Sequence, residues 1–151
     1  MTSRQKIVIG WQEWVALPDL EIPWIKAKID TGAATSCLHA INIKELANQF
    51  CEFLVHPIQN NKTIKVTCRA KIVDKRIVKS STGHKQSRYV IETSLHLGEK
   101  QKSIQITLSD RKDMMFRMLL GRQALSPWQI DSSKKCLLHQ LTQDQQMAFF
   151  Q

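Results

Sequence analysis

Apolar and polar residues alternate along much of this chain with a period of two, the repeat of a strand that buries one face. Ile25, Ala27 and Ile29 alternate with Trp24, Lys26 and Lys28, and the run delivers Asp30 at its end. The clearest case is Ile64, Val66, Cys68, Ala70 and Ile72, interleaved with Lys65, Thr67, Arg69 and Lys71. Tyr89, Ile91, Thr93, Leu95 and Leu97 repeat the pattern, Gly98-Glu99-Lys100 supplies a turn, and Ile104, Ile106 and Leu108 resume it, which predicts a hairpin. Lys6 to Val15 and Phe53 to Pro57 read as further strands, with Pro18-Asp19 and Pro23 bending the chain after the first.

Helical periodicity is thin. Ile43, Leu46, Ala47 and Phe50 share one face over about two turns, and Arg122 to Leu125 predicts a single turn stopped before Pro127. Lys79 to Ser87 is polar, contains Gly83 and is long enough for a mobile loop. Gln140 to Gln151 is a polar tail, frayed or docked as a short helix. Many short strands with few helices predict a small β-barrel or sandwich.

Composition narrows this further. A chain of 151 residues and 17.4 kDa fits one domain with an ordinary core. The polar start and the interruption of the next apolar run by Gly10, Gln12 and Glu13 predict neither a signal peptide nor a membrane span, so a cytoplasmic, soluble chain is expected. Cys37, Cys51, Cys68 and Cys136 are widely spread, with no Cys-x-x-Cys pair, and read as reduced thiols. The formal charge of +9 is concentrated: Phe53 to Ile91 holds nine Lys or Arg against Asp74 alone. Such a segment is either a set of solvated basic faces or a funnel for an anionic partner.

Candidate chemistry begins at Asp30-Thr31-Gly32, directly after an apolar strand. The glycine permits a tight turn whose N–H groups can hydrogen-bond the carboxylate, although Asp and Gly also favour ordinary turns. Met118-Leu119-Leu120-Gly121-Arg122 follows, with Gly121 91 residues after Asp30. Together the two elements resemble the retroviral-type (retropepsin-like) aspartic peptidases, in which an apolar-Asp-Thr-Gly-Ala element and a later apolar-Gly-Arg element cross beneath the catalytic site. The chain is similar in particular to a bacterial group often labelled putative ATP-dependent zinc proteases. Gly10 to Pro18, Lys26 to Ala33, Ser36-Cys37-Leu38-His39-Ala40 and Phe116 to Arg122 carry that likeness, which runs from about Ile9 to Leu138.

The resemblance implies an all-β fold, a small closed barrel of the acid-protease type with one or two short helices. It would form one domain over 1–151, with a core of about 6–138 and a tail of about 140–151. It implies a metal-independent aspartic endopeptidase in which Asp30, Thr31 and Gly32 are catalytic. Ala33 and Ala34, with Gly83 and His84 of a flap, would contact substrate, and Leu120, Gly121 and Arg122 would support the site. Since the chain has one Asp-Thr-Gly, the resemblance requires a homodimer that pairs two Asp30 carboxylates. Thr31 would tie the two aspartate loops together. Some relatives are linked to trimming glutamate tails added by a ligase to a ribosomal protein, and the basic segment suits an acidic peptide substrate.

No cofactor is expected, in spite of the group's label. There is no His-Glu-x-x-His, none of the five histidines is paired at ligand spacing, and no phosphate-cradling Gly-x-x-x-x-Gly-Lys-Ser/Thr loop occurs, so neither zinc nor ATP is predicted. Ala34 departs from the group, which usually has Arg there; viral relatives have an Asp that pairs with the later Arg. Arg122 is thereby left with only Asp131 as a guessed partner. Cys37 with His39 ranks lower as a thiol nucleophile, because no third group is evident to orient them. Trp11, Trp14 and Trp24 are expected in core or interface. The alternatives are a non-catalytic barrel that binds acidic peptides or protein partners, and a nucleic-acid binder motivated by the basic segment alone; nucleic acid is disfavoured.

Overall fold

The computed structural model describes residues 7–79, 82–111 and 114–150. In chain order the strands are β1 (Val8–Gly10), β2 (Gln12–Leu17), β3 (Ile22–Ile29), β4 (Ser36–His39), β5 (Ile41–Glu45) and β6 (Phe50–Val55). They continue as β7 (Val66–Lys79), β8 (Lys85–Leu97), β9 (Lys100–Ser109), β10 (Met118–Leu120) and β11 (Gln129–Asp131), with short helices α1 (Arg122–Leu125) and α2 (Gln143–Ala148).

Six strands close into a barrel in the order β2-β3-β10-β4-β9-β8, and Ala16 opposite His96 joins the last strand to the first. Alternation explains the closure: Ile25 and Ala27, Leu38, Met118 and Leu120, Ile106 and Leu108, and Ile91 and Leu95 all turn inward and are buried. Each large aliphatic side chain so buried contributes about 1.5–3 kcal/mol. The fold is all-β, as expected. Beyond β8 the sheet continues through β7, β6 and β5, and β1 pairs in parallel with β11.

Several local expectations are corrected. Ile43 to Phe50 is not a helix: β5 ends at Glu45, a 3₁₀ turn spans Ala47–Gln49, and β6 starts at Phe50. Tertiary pairing overrides the periodicity, because β6 is held by both β5 and β7 while Leu46 and Phe50 stay exposed. The β6 strand therefore begins and ends earlier than the predicted Phe53 to Pro57. The strand expected over Lys6 to Val15 is two strands broken at Trp11, paired with different partners; Lys6 lies outside the described residues.

The break at Trp11 is held by Glu13. Its carboxylate is fully buried and accepts the Gly10 N–H at 2.7 Å, the Leu137 N–H at 2.9 Å and the Leu138 N–H at 3.1 Å. Three charge-assisted bonds offset the desolvation of one carboxylate.

The polar stretch Lys79 to Ser87 includes the end of one ladder strand and the start of the next. Strand β7 runs to Lys79 and β8 resumes at Lys85, so the turn is confined to the tip, where Gly83 adopts φ +87° and Ser80 and Ser81 lie outside the described residues. Of the tryptophans, Trp14 is buried and Trp11 packs edge-on against Phe116 at 5.9 Å. Trp24 meets His139 and Phe149, which docks the tail as helix α2, closed by a capping box between Thr142 and Gln145. The hairpin β8–β9 and the turn of helix at α1 stand where the sequence predicts them. Among the described residues no helix is long and apolar enough to cross a membrane. All four cysteines are free thiols, and burial pushes Cys51 up to about 11 and Cys68 up to about 12.

Candidate active site

Strand β3 ends at Ile29 because Asp30-Thr31-Gly32 turns the chain away. The Gly32 N–H donates to Asp30 Oδ1 at 3.1 Å, and the Ala33 N–H reaches the Asp30 carbonyl at 3.3 Å. The loop is then stitched to the end of β10, which runs parallel to β3 with Leu120 beside Ile29. The Asp30 N–H donates to the Leu120 carbonyl at 2.8 Å, the Arg122 N–H to Ala33 at 2.8 Å and the Gln123 N–H to Ala34 at 3.0 Å.

Gly121 makes this approach possible. A Cβ at that position would fall 2.7 Å from the Thr35 carbonyl group and 2.9 Å from the Ala33 oxygen, which no side chain tolerates. Its N–H donates to the buried hydroxyl of Ser36 at 3.1 Å. Leu120 is buried beneath, and helix α1 begins at Arg122.

Arg122 does not pair with Asp131. Its Nη1 donates to the Thr31 carbonyl at 2.9 Å, whereas Asp131 Oδ1 accepts from Ser133 Oγ at 2.6 Å and from the Ser133 N–H at 3.0 Å. A backbone acceptor is present whatever side chain occupies position 34, so Ala34 removes nothing that this contact needs. Thr31, Gly32, Ala34 and Arg122 are all exposed together at this end of the barrel.

Asp30 and Ala33 open onto a cleft of about 470 Å³ on the outer face of the barrel wall. Its floor includes Cys37, Thr107 and Leu119; Met114, Met115 and Phe116 supply an apolar side, and Lys28, Arg76, Arg88 and Arg111 stand around it. Four cations face a lining whose carboxylate is Asp30. Burial raises the Cys37 thiol, with its bond to Thr107 opposing, which makes it a poor nucleophile.

Above the cleft the β7–β8 hairpin projects as a two-stranded ribbon, because β6 stops at the level of Lys71. Its stem is tied down at several residues: Gln86 donates to Asp110 at 2.8 Å, Lys75 pairs with Glu45, and Arg76 makes the most contacts. Arg76 donates from Nη1 to Thr35 Oγ1 at 3.0 Å, from Nη2 to Gln105 Oε1 at 3.3 Å and from Nε to Asp74 at 3.2 Å. Opposite Arg76 stands Arg88, and opposite Lys79 stands Lys85, so the ribbon carries like charges face to face. Gly83 and His84 lie exposed at its tip and do not line the cleft.

Sequence reasoning thus located the aspartate loop and the crossing. It missed Lys28, Arg111 and Cys37 as cleft residues, and it noted Arg76 and Arg88 only as members of a basic segment. Strand alternation in β4 could have flagged Cys37, because Ser36 and Leu38 are buried on the other face while Cys37 lines the cleft. Arg111 follows β9 in a loop and carries no such signal.

Residues 8–138 match a protein-family description, RimB-like, given as retropepsin-like aspartic endopeptidase RimB. The chain belongs to the RimB-like family. The Asp30 loop and the Gly121 crossing lie inside the matched residues, and the RimB-like barrel is also seen in a solved Legionella pneumophila protein of unknown function. That structure has a TM-score of 0.74 and 28% identity, with 89% of this chain and 99% of the other covered. Curated relatives named probable alpha-L-glutamate ligase include one from Shewanella pealeana, 44% identical over 82% of this chain and 28% of its own length. Another, from Desulfotalea psychrophila, is 41% identical over 92% of this chain and 31% of its own. The chain therefore spans about a third of the length of the curated relatives it matches.

Proposed function

We propose that this RimB-like chain is an aspartic endopeptidase that acts as a homodimer, on acidic, glutamate-rich peptides. The observation that carries the reading is the backbone-locked Asp30 loop opening onto a cationic cleft. One chain holds one Asp-Thr-Gly, so the second carboxylate comes from a second copy. The exposed cluster of Thr31, Gly32, Ala34 and Arg122 beside Asp30 leaves that end of the barrel free for such pairing.

Two carboxylates brought within hydrogen-bond reach share one proton and titrate as a pair. The ionised Asp30 takes a proton from a water held between them, and the water oxygen bonds to the peptide carbonyl carbon. The protonated Asp30 hydrogen-bonds the carbonyl oxygen as negative charge develops there. Proton transfer to the peptide nitrogen then lets the C–N bond break, and no covalent enzyme intermediate forms. Lys28, Arg76, Arg88 and Arg111 favour substrate segments rich in carboxylates. Relatives whose longer chains are named glutamate ligases support the same substrate class: a hydrolase domain joined to a ligase makes chemical sense if one undoes the bonds the other forms.

The test is hydrolysis of an oligo-glutamate peptide, followed by mass spectrometry, with the unsubstituted chain and with Asp30→Asn. Asp30→Asn should keep the fold by circular dichroism and lose cleavage by at least about a thousandfold. Unchanged turnover in that variant would overturn the reading. A chain that stays monomeric by sedimentation even with peptide bound would favour the non-catalytic binding barrel instead.

A further inference from the structure

Two sides of the cleft differ in chemistry, and strands β4 and β9 lie between them. Leu119 on β10, Cys37 on β4 and Thr107 on β9 stand in register across the floor, and Val90 on β8 continues the row. Arg88 lies two residues from Val90 on the same strand face, so it enters the cleft from the β8 side. Met114, Met115 and Phe116 enter from the other side, on the segment that leads into β10. Three strand spacings part β8 from β10, an arc of about 14 Å, which admits one extended chain with a side chain on either hand.

The β8 side is short of anions. Arg88 is half-buried, donates from Nε to Gln86 Oε1 at 3.2 Å, and forms no ion pair among the described residues. Gln86 in turn donates to Asp110 at 2.8 Å, so a neutral amide stands between that carboxylate and Arg88. Arg76, opposite Arg88, repels it and has its own acid in Asp74. The charge of Arg88 is felt on the floor: burial raises the Cys37 thiol, while the bond to Thr107 and then the Arg88 and Arg111 charges oppose that rise.

The β10 side is short of cover. Met115 is apolar yet 74% exposed, and Phe116 rests edge-on against Trp11. Gln59 donates to the Met115 carbonyl at 2.9 Å, which ties this wall to the segment after β6. Lys28 stands at its Asp30 end, in register with Leu119. A peptide of carboxylates alone would satisfy the β8 side and desolvate charge against Met115 and Phe116.

We propose that the cleft sorts the side chains of an extended peptide, with a glutamate carboxylate on Arg88 and an apolar side chain from the neighbouring residue on Met115 and Phe116. Successive side chains of an extended chain point to opposite sides, so the preferred ligand has an apolar residue next to a glutamate. The inference rests on the acidic-peptide reading above and narrows it, from peptides rich in glutamate to peptides in which glutamate and apolar residues adjoin.

The experiment uses the full chain carrying Asp30→Asn, so that binding is read without turnover. End-blocked octapeptides that alternate Glu with Leu, Glu with Ser, and Gln with Leu are titrated by calorimetry beside octaglutamate. The blocked ends keep a terminal carboxylate from standing in for a side chain. The Glu-Leu peptide should bind at least about tenfold more tightly than each of the others. Arg88→Gln should erase the preference for Glu over Gln and keep that for Leu over Ser, whereas Arg88→Lys, which retains the charge, should keep both. Met115→Gln should reduce the preference for Leu over Ser at least about threefold and keep that for Glu over Gln. Octaglutamate that binds as tightly as the Glu-Leu peptide overturns the sorting, and so does Arg88→Gln or Met115→Gln weakening all four peptides alike. Sorted binding with no hydrolysis of any peptide by the unsubstituted chain would remove the peptidase reading and keep the inference. Hydrolysis of the Glu-Leu and Glu-Ser peptides with equal kcat/KM would do the reverse.

Discussion

The aspartate loop and the flap-like ribbon face the same cleft, yet they are held by different means. Around Asp30 most contacts are backbone to backbone or backbone to a short buried hydroxyl, Asp30 to Leu120, Arg122 to Ala33, Gln123 to Ala34 and Gly121 to Ser36, with the Arg122 side chain adding one to the Thr31 carbonyl. On the ribbon they are long charged side chains, Arg76 above all, and the cross-strand pairs Arg76–Arg88 and Lys79–Lys85 oppose each other. The first arrangement fixes the Asp30 loop by contacts that salt does not screen. The second adds to its β7–β8 ladder charges that repel across the strands and that salt screens.

The comparison is broken most severely at Gly121. Gly121→Ala forces the crossing apart and should lower stability by about 4 kcal/mol or prevent folding altogether, read by urea denaturation. Ser36→Ala leaves the buried Gly121 N–H without its acceptor and should cost about 2 kcal/mol, with the loss shared by amides on both sides of the crossing in hydrogen exchange. On the ribbon the sign reverses. Arg88→Gln removes one member of a like-charge pair, so amide protection in residues 72–79 should rise by about 0.5 kcal/mol at low salt, and the gain should fade at high salt. Equal protection in both salts would show that the ribbon is no more electrostatic than the loop.

The finest probe is His39, buried on β4. Burial, then Arg117 and His56, depress the His39 pKa in the folded chain, while Asp110 and a backbone bond to Arg111 oppose the shift. The unfolded chain therefore binds a proton at higher pH than the folded one does. Stability from this site is full above the ordinary histidine value and is lost as pH falls from there through the depressed folded value. His39→Gln should flatten that part of the stability-versus-pH curve.

The sequence exposed the fixed half far better than the responsive half. Asp30-Thr31-Gly32 and Leu120-Gly121-Arg122 are local signals, because a tight turn and a close backbone approach each demand particular residues in consecutive positions. The partner of Arg122 was not legible, since a backbone carbonyl leaves no trace in residue identity. The Ile43 to Phe50 stretch misled for a related reason: its apolar spacing suits a helix, but the ladder to β7 decides its state, and that ladder joins residues far apart in the chain. Arg76 and Arg88 meet across the β7–β8 hairpin, but Arg111 and Lys28 join them only through the barrel's closure, so no spacing rule could have grouped all four.

Glu13 has a consequence for how the protein can be carried. One buried carboxylate gathers the backbone at Gly10 and at Leu137 and Leu138, so the path into the barrel and the path out of it are fastened at a single point. Those residues also bracket the stretch matched to the family, 8–138. A unit latched this way has its two ends fastened to each other, so a pull on either end is borne by the Glu13 carboxylate and not by the cleft.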